Sequence, residues 1–128
     1  MWLISGGAYQ GKLEYILRRT GMSEKDVAEG EVCSIDELFK QPIVNHFHLW
    51  INRMLKENRD PYSLTDQIID NNPSIIIVVN ELGCGVVPME PYDRRYREIT
   101  GRICCMLAQE AKEVHRVMSG IGLVIKHD

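Results

Sequence analysis

Five consecutive branched apolar residues, Ile75-Ile76-Ile77-Val78-Val79, constrain this chain more than any other stretch. A strand of that composition presents hydrocarbon on both faces, and both need cover. Helices above and below a parallel sheet provide it. Ser74 to Val79 is therefore expected as a central strand. The flanking sequence suits an alternation of strands and helices. Met1 to Ser5 is a short apolar run ended by Gly6-Gly7, and Leu13, Ile16 and Leu17 mark one face of a helix from near Gly11 to Gly21. Val27 to Val32 is ambiguous and has room for a short strand. Ser34-Ile35-Asp36-Glu37 has the spacing of a capping box.

Pro42-Ile43-Val44 reads as another buried strand, followed by a helical stripe of Phe47, Trp50, Ile51, Met54 and Leu55. Asn58-Arg59-Asp60-Pro61 breaks the stripe, and Ser63 is expected to cap a short helix carrying Leu64 and Ile68. Asn71-Asn72-Pro73 ends it. Glu81 to Pro91 is a loop. The longest helix follows, with Tyr96, Ile99, Ile103, Leu107, Ala111 and Val114 at three- and four-residue steps. Val114 to Met118 and Leu123 to Ile125 then form a hairpin around Ser119-Gly120-Ile121-Gly122, which makes one edge strand antiparallel.

A chain of 128 residues implies one domain spanning 1–128. At 45% hydrophobic and 26% charged it is too apolar for disorder, and its net charge of −3 does not favour a nucleic-acid partner. No apolar run is long enough for a membrane span, and no signal peptide is read at the start. The four cysteines, Cys33, Cys84, Cys104 and Cys105, include no CxxC pair. Reduced thiols in a cytoplasmic protein fit that pattern.

Gly6-Gly7-Ala8-Tyr9-Gln10-Gly11-Lys12-Leu13 matches the phosphate-loop pattern GxxxxGK, with Leu in place of Ser or Thr. Glycines let consecutive amides point at phosphate oxygens, the lysine adds a point charge, and the next helix presents its positive end. Leu13 lacks the hydroxyl that ligates magnesium in such loops. The strand at Pro42 to Val44 ends in Asn45, where an acid would support the ion. The same glycines also suit a strand-to-helix turn that binds nothing. Asn80-Glu81-Leu82-Gly83-Cys84-Gly85-Val86-Val87-Pro88 follows the central strand, where open α/β sheets bind ligands. Glu81 there suits a magnesium ion or a substrate hydroxyl, or it is simply solvated.

Those residues, with Arg94-Arg95-Tyr96-Arg97-Glu98, Gly101-Arg102, Ser119-Gly120-Ile121-Gly122 and Lys126, resemble the C-terminal half of the adenosylcobinamide kinase / adenosylcobinamide-phosphate guanylyltransferase family of cobalamin biosynthesis. Gly6-Gly7-Ala8 is similar to the start of that family's phosphate loop. The resemblance implies a P-loop NTPase-like three-layer α/β fold, mostly parallel with an antiparallel C-terminal edge hairpin. It implies a kinase that phosphorylates a corrinoid side chain with ATP or GTP, followed by GMP transfer through a guanylylated histidine, in a homo-oligomer such as a trimer. By position, Gly6, Gly7, Ala8, Tyr9, Gln10, Gly11, Lys12 and Leu13 would hold the nucleotide. Lys12 and Glu81 would be catalytic, and Asn80, Glu81, Gly83, Arg94, Arg97 and Arg102 would bind substrate.

The departures are equally specific. Leu13 and Asn45 stand where the family carries a hydroxyl and an acid, so any Mg2+ would find degraded protein ligands. Cys104-Cys105 replaces Asn-Gln. The family segment with the guanylyl-accepting histidine has no counterpart, since Gly21 to Pro42 contains no histidine. A catalytically degenerate homologue that binds a nucleotide or an active partner is the alternative. His46 and His48, at the end of a strand with side chains on one face, suit a substitute guanylyl acceptor at His46, a metal site lacking a third ligand, or a hydrogen-bonded pair. Met54, Met89, Met106 and Met118 read as core or rim filler.

Overall fold

A computed structural model describes residues 1–82 and 90–127. Along the chain run β1 (Trp2–Gly6), α1 (Lys12–Thr20), β2 (Val27–Glu29), α2 (Ile35–Leu38), β3 (Ile43–Asn45), α3 (Phe47–Lys56), α4 (Pro61–Asn71), β4 (Ile76–Asn80), α5 (Pro91–Glu110), β5 (Glu113–Met118) and β6 (Ile121–His127). The strands form one sheet in the order β2-β3-β4-β1-β5-β6. Every pairing is parallel except β5 with β6.

The apolar run does what its composition demands. β4 lies between β3 and β1, and alternate side chains enter different cores. Ile77 and Val79 join Leu3, Val44 and Val114 against α3, α4 and α5. Ile76 and Val78 join Ile4, Ile43 and Val117 against Ile16 of α1. Strand alternation thus gives a three-layer α/β sandwich of the P-loop NTPase-like kind.

Three local expectations need correction. Asp60, not Ser63, caps α4: its carboxylate accepts from the Tyr62 amide at 2.9 Å, and Pro61 takes the first helical position. α5 ends at Glu110, and Val114 belongs to β5, because Ala111 at ψ 142 turns the backbone into extended geometry. Ser34 accepts from Glu37 as expected, but the reciprocal capping box forms earlier, between Ser23 and Asp26.

The hairpin closes through Ser119 and Gly120, both at positive φ, as the twist of a two-residue hairpin turn requires. Beside it, Gly122 lies under the ring of Tyr15, and any Cβ there would overlap the ring. Tyr15 Oη sits 2.7 Å from Nδ1 of His115, whose Nε2 lies 2.8 Å from Glu113, and Trp2 stacks on the same imidazole. These contacts seat α1 on the sheet.

The start of α3 is fixed by His48. Its buried Nδ1 accepts the Asn80 amide at 3.1 Å, at the end of β4. Burial, then the nearby positive charges of His46 and Lys12, push its pKa down to about 4.

Two outcomes follow. Gly122→Ala, which must displace Tyr15, is expected to cost about 1–3 kcal/mol and lower Tm by several degrees. Gly101→Ala, in open space on α5, should leave Tm equal or higher. Thermal melts of both decide this, and an unchanged Tm for Gly122→Ala would contradict the packing. For His48, the folded pKa lies below the ordinary 6.5, so the unfolded chain takes up the proton first. Its stabilising contribution is complete above pH 6.5 and declines as pH falls toward 4, by about 2–3 kcal/mol. Urea unfolding at pH 7 and pH 4.5 should show that decline in the natural chain and a shallower one in His48→Gln.

Candidate functional site

The loop between β1 and α1 curls as the glycine pattern requires. Tyr9 and Gly11 both sit in the left-handed region, at φ 58 and φ 78, and α1 begins at once with Tyr15 N donating to Gly11 O. Lys12 is buried, 7% exposed, and its Nζ donates to the Gly7 carbonyl at 2.7 Å, inside the curl. Burial pulls its pKa below the ordinary value, while the carboxylate of Glu81 partly offsets this. A buried ammonium with one carbonyl partner has two donors left for an anion.

The loop faces a cavity of about 410 Å³. Ala8 to Glu14 form one wall, and Asn45, His46, His48, Leu49 and Asn80 form the other. The carboxyl ends of β1, β3 and β4 therefore meet at one hollow, the place where open α/β sheets bind ligands. Tyr9 projects fully into solvent at the rim. Gln10 does more than line the loop. Its carbonyl accepts from Gly120 N at 2.8 Å and its side-chain oxygen from Ser119 N at 2.5 Å. The hairpin turn thus clamps the loop tip.

The other anticipated site residues scatter. Asn80 lines the cavity, but Glu81 forms a paired hydrogen-bonded contact with Arg116 of β5, at 2.9 and 3.2 Å, and borders a separate apolar hollow. Gly83 lies outside the described residues, as do Cys84 and Met89. The arginines of α5 do not reach the cavity. Arg102 pairs with Glu98 one helical turn away, and Arg97 and Arg102 border a separate shallow hollow that Tyr62 of α4 and Leu82 also line. Arg94 is exposed. Met54 is core, Met106 is half-buried, and Met118 is exposed rather than filler. Burial pushes the Cys104 thiol up to about 12, which leaves it protonated and inert.

His46 and His48 do not share a strand face. β3 ends at Asn45, His46 caps α3 at φ 54, and His48 lies in the first helical turn. Their rings meet edge to face at 5.7 Å. The residue that sequence reasoning missed is Glu29, at the end of β2, whose Oε1 lies 2.7 Å from His46 Nδ1. The register Glu29↔Asn45 brings it there, a pairing invisible before the short strand at 27–29 is placed beside β3.

A protein-held magnesium ion does not fit these residues. Leu13 offers no donor, the Asn45 amide turns its nitrogen toward Glu29 at 3.4 Å, and no group of three His, Cys, Asp or Glu able to hold a metal occurs among the described residues. Among the same residues, no helix is long and apolar enough to cross a membrane.

The profile of the CobU family, cobinamide kinase / cobinamide phosphate guanyltransferase, matches residues 23–125. The bifunctional adenosylcobalamin biosynthesis protein CobU of Escherichia coli is 46% identical to this chain over 52 residues, and its Salmonella typhimurium counterpart is 46% identical over 52 residues as well. Each alignment takes in 41% of this chain and 29% of the relative, well under two thirds of either relative's length. The profile match covers most of this sequence, including β2 through most of β6, and this chain belongs to the cobinamide kinase / cobinamide phosphate guanyltransferase family.

Proposed function

We propose that this chain is a single nucleotide-binding domain, residues 1–128, that transfers the terminal phosphoryl group of ATP or GTP to the side-chain hydroxyl of a cobinamide-like corrinoid. The observation that carries the reading is Lys12, buried and turned into the loop at the edge of the 410 Å³ cavity. Residues Gly6 to Leu13 supply the amides and Lys12 the charge for the phosphates, and Asn80 lies on the wall that would face the acceptor. Phosphoryl transfer depends mainly on positioning and charge, so weak protein ligation of magnesium does not by itself abolish it. The nucleotide's own phosphates would carry the ion.

Transfer of GMP, the second activity in the family's name, finds less support. The residues between α1 and β3 contain no histidine, and the cavity histidines are committed to Glu29 and to the Asn80 amide. On this reading it works in the cytoplasm as a homo-oligomer, with a trimer as the form to test first. The exposed Ile121, Leu123 and Ile125 of edge strand β6 suit a subunit contact. Leu13 and Asn45 favour a second reading, a nucleotide-binding subunit without turnover that regulates or scaffolds an active partner.

Calorimetric titration of ATP and GTP separates these readings from a loop that binds nothing. The natural chain should bind one of them, and Lys12→Ala should weaken binding at least tenfold, the scale of a lost charge-assisted contact. Equal binding by the variant would remove the phosphate-loop reading. Transfer of labelled phosphate from the bound nucleotide to cobinamide would establish the kinase over the non-catalytic subunit.

A further inference from the structure

His46 is held more firmly than packing requires. It occupies the left-handed region at φ 54 and ψ 48, which costs a non-glycine residue on the order of 1 kcal/mol or more and concentrates at functional sites. Three elements hold it there. Gly30 N donates to Asn45 O at 2.8 Å, and a side chain at Gly30 would overlap the His46 carbonyl oxygen. Arg53 of α3 fixes that bend by donating to the carbonyls of Gly30 and Cys33, both at 2.9 Å. Glu29 then takes the imidazole at 2.7 Å.

The carboxylate only accepts, so the proton of the neutral ring sits on Nδ1 and the lone pair on Nε2. His46 also borders the cavity opposite Lys12. This is an imidazole set in one tautomer by a carboxylate, the arrangement that prepares a histidine to take a proton. Asn45 fits the same scheme. Its amide nitrogen donates to Glu29 Oε1 at 3.4 Å, where an acid would repel the carboxylate.

We propose that His46 is the catalytic residue that accepts the proton of the acceptor hydroxyl, with Glu29 as its positioning residue; this rests on the phosphoryl transfer proposed above. As the hydroxyl oxygen bonds to the terminal phosphorus, its proton passes to His46 Nε2. The bond from that phosphorus to the bridging oxygen breaks, and the nucleoside diphosphate leaves with the electron pair. Glu29 stabilises the imidazolium, which then returns its proton to water. The titratable and charged groups around the ring are Glu29 from β2, His48 on α3, and Lys12 and Glu14 from α1, with Glu81 acting on Lys12. His48 already accepts the Asn80 amide, so of the two cavity histidines His46 is the one whose Nε2 has no such commitment.

The test measures phosphoryl transfer from ATP or GTP to cobinamide between pH 5.5 and 9, with nucleotide Kd measured in parallel. His46→Gln should lower kcat on the order of 100-fold with Kd nearly unchanged. In Glu29→Gln, kcat should fall less and the acidic limb of its pH profile should move to lower pH. Imidazole in the buffer should restore part of the activity of His46→Ala. Full activity of His46→Gln, an unmoved acidic limb in Glu29→Gln, or acid-labile label retained on His46 would each overturn the assignment, the last by making His46 a nucleophile. An inactive natural chain that still binds nucleotide would instead overturn the kinase reading, and the assignment with it.

Discussion

The burial of β4 and β1 on both faces is the constraint from which the rest follows. Neither strand can stop at the surface, so each turn at their carboxyl ends emerges between two helical layers. The β1 turn becomes the glycine loop that walls the cavity, and the β4 end supplies Asn80 to the opposite wall. Because β3 is in register with β4 through Ile43 and Val44, its end delivers Asn45 and His46 to the same level. The cavity is thus a consequence of strand lengths and order more than of any one loop residue.

Electrostatics within that hollow are divided between neighbours. Lys12 is partly desolvated and keeps its charge company with Glu81, which is itself engaged by Arg116. His48 is desolvated more strongly and gives up its charge to serve as an acceptor for the Asn80 amide. His46 is half-exposed and held at 2.7 Å by the Glu29 carboxylate. Two histidines two residues apart therefore have different chemistry because one faces the core and the other faces a carboxylate.

Much of this architecture was legible in the residues. The branched run Ile75 to Val79 announced the central strand, Gly11 and Gly21 bracketed α1, and the last two strands announced the hairpin. What was not legible depended on pairing between distant segments. Ser63 looked like the cap of α4 because Ser at a helix start is a local signal, but Pro61 forces the helix to begin earlier and hands the cap to Asp60. The resemblance named the α5 arginines as substrate ligands, but which hollow they border, one beside Leu82 and Tyr62, depends on how α5 sits on the sheet. Glu29, Arg116 and the grip of Ser119 and Gly120 on Gln10 all lie across strand registers that no periodicity encodes. The family relationship was legible, since it rests on contiguous motifs.

The clamp on Gln10 has a thermodynamic consequence. Its two contacts immobilise the cradle's tip at the moment the last two strands zip together, so the entropy of shaping it is charged to folding. Under the proposed phosphate-binding role, an incoming anion would meet a ready-made cup, and encounter would be governed by diffusion and charge instead of by the closing of a floppy segment.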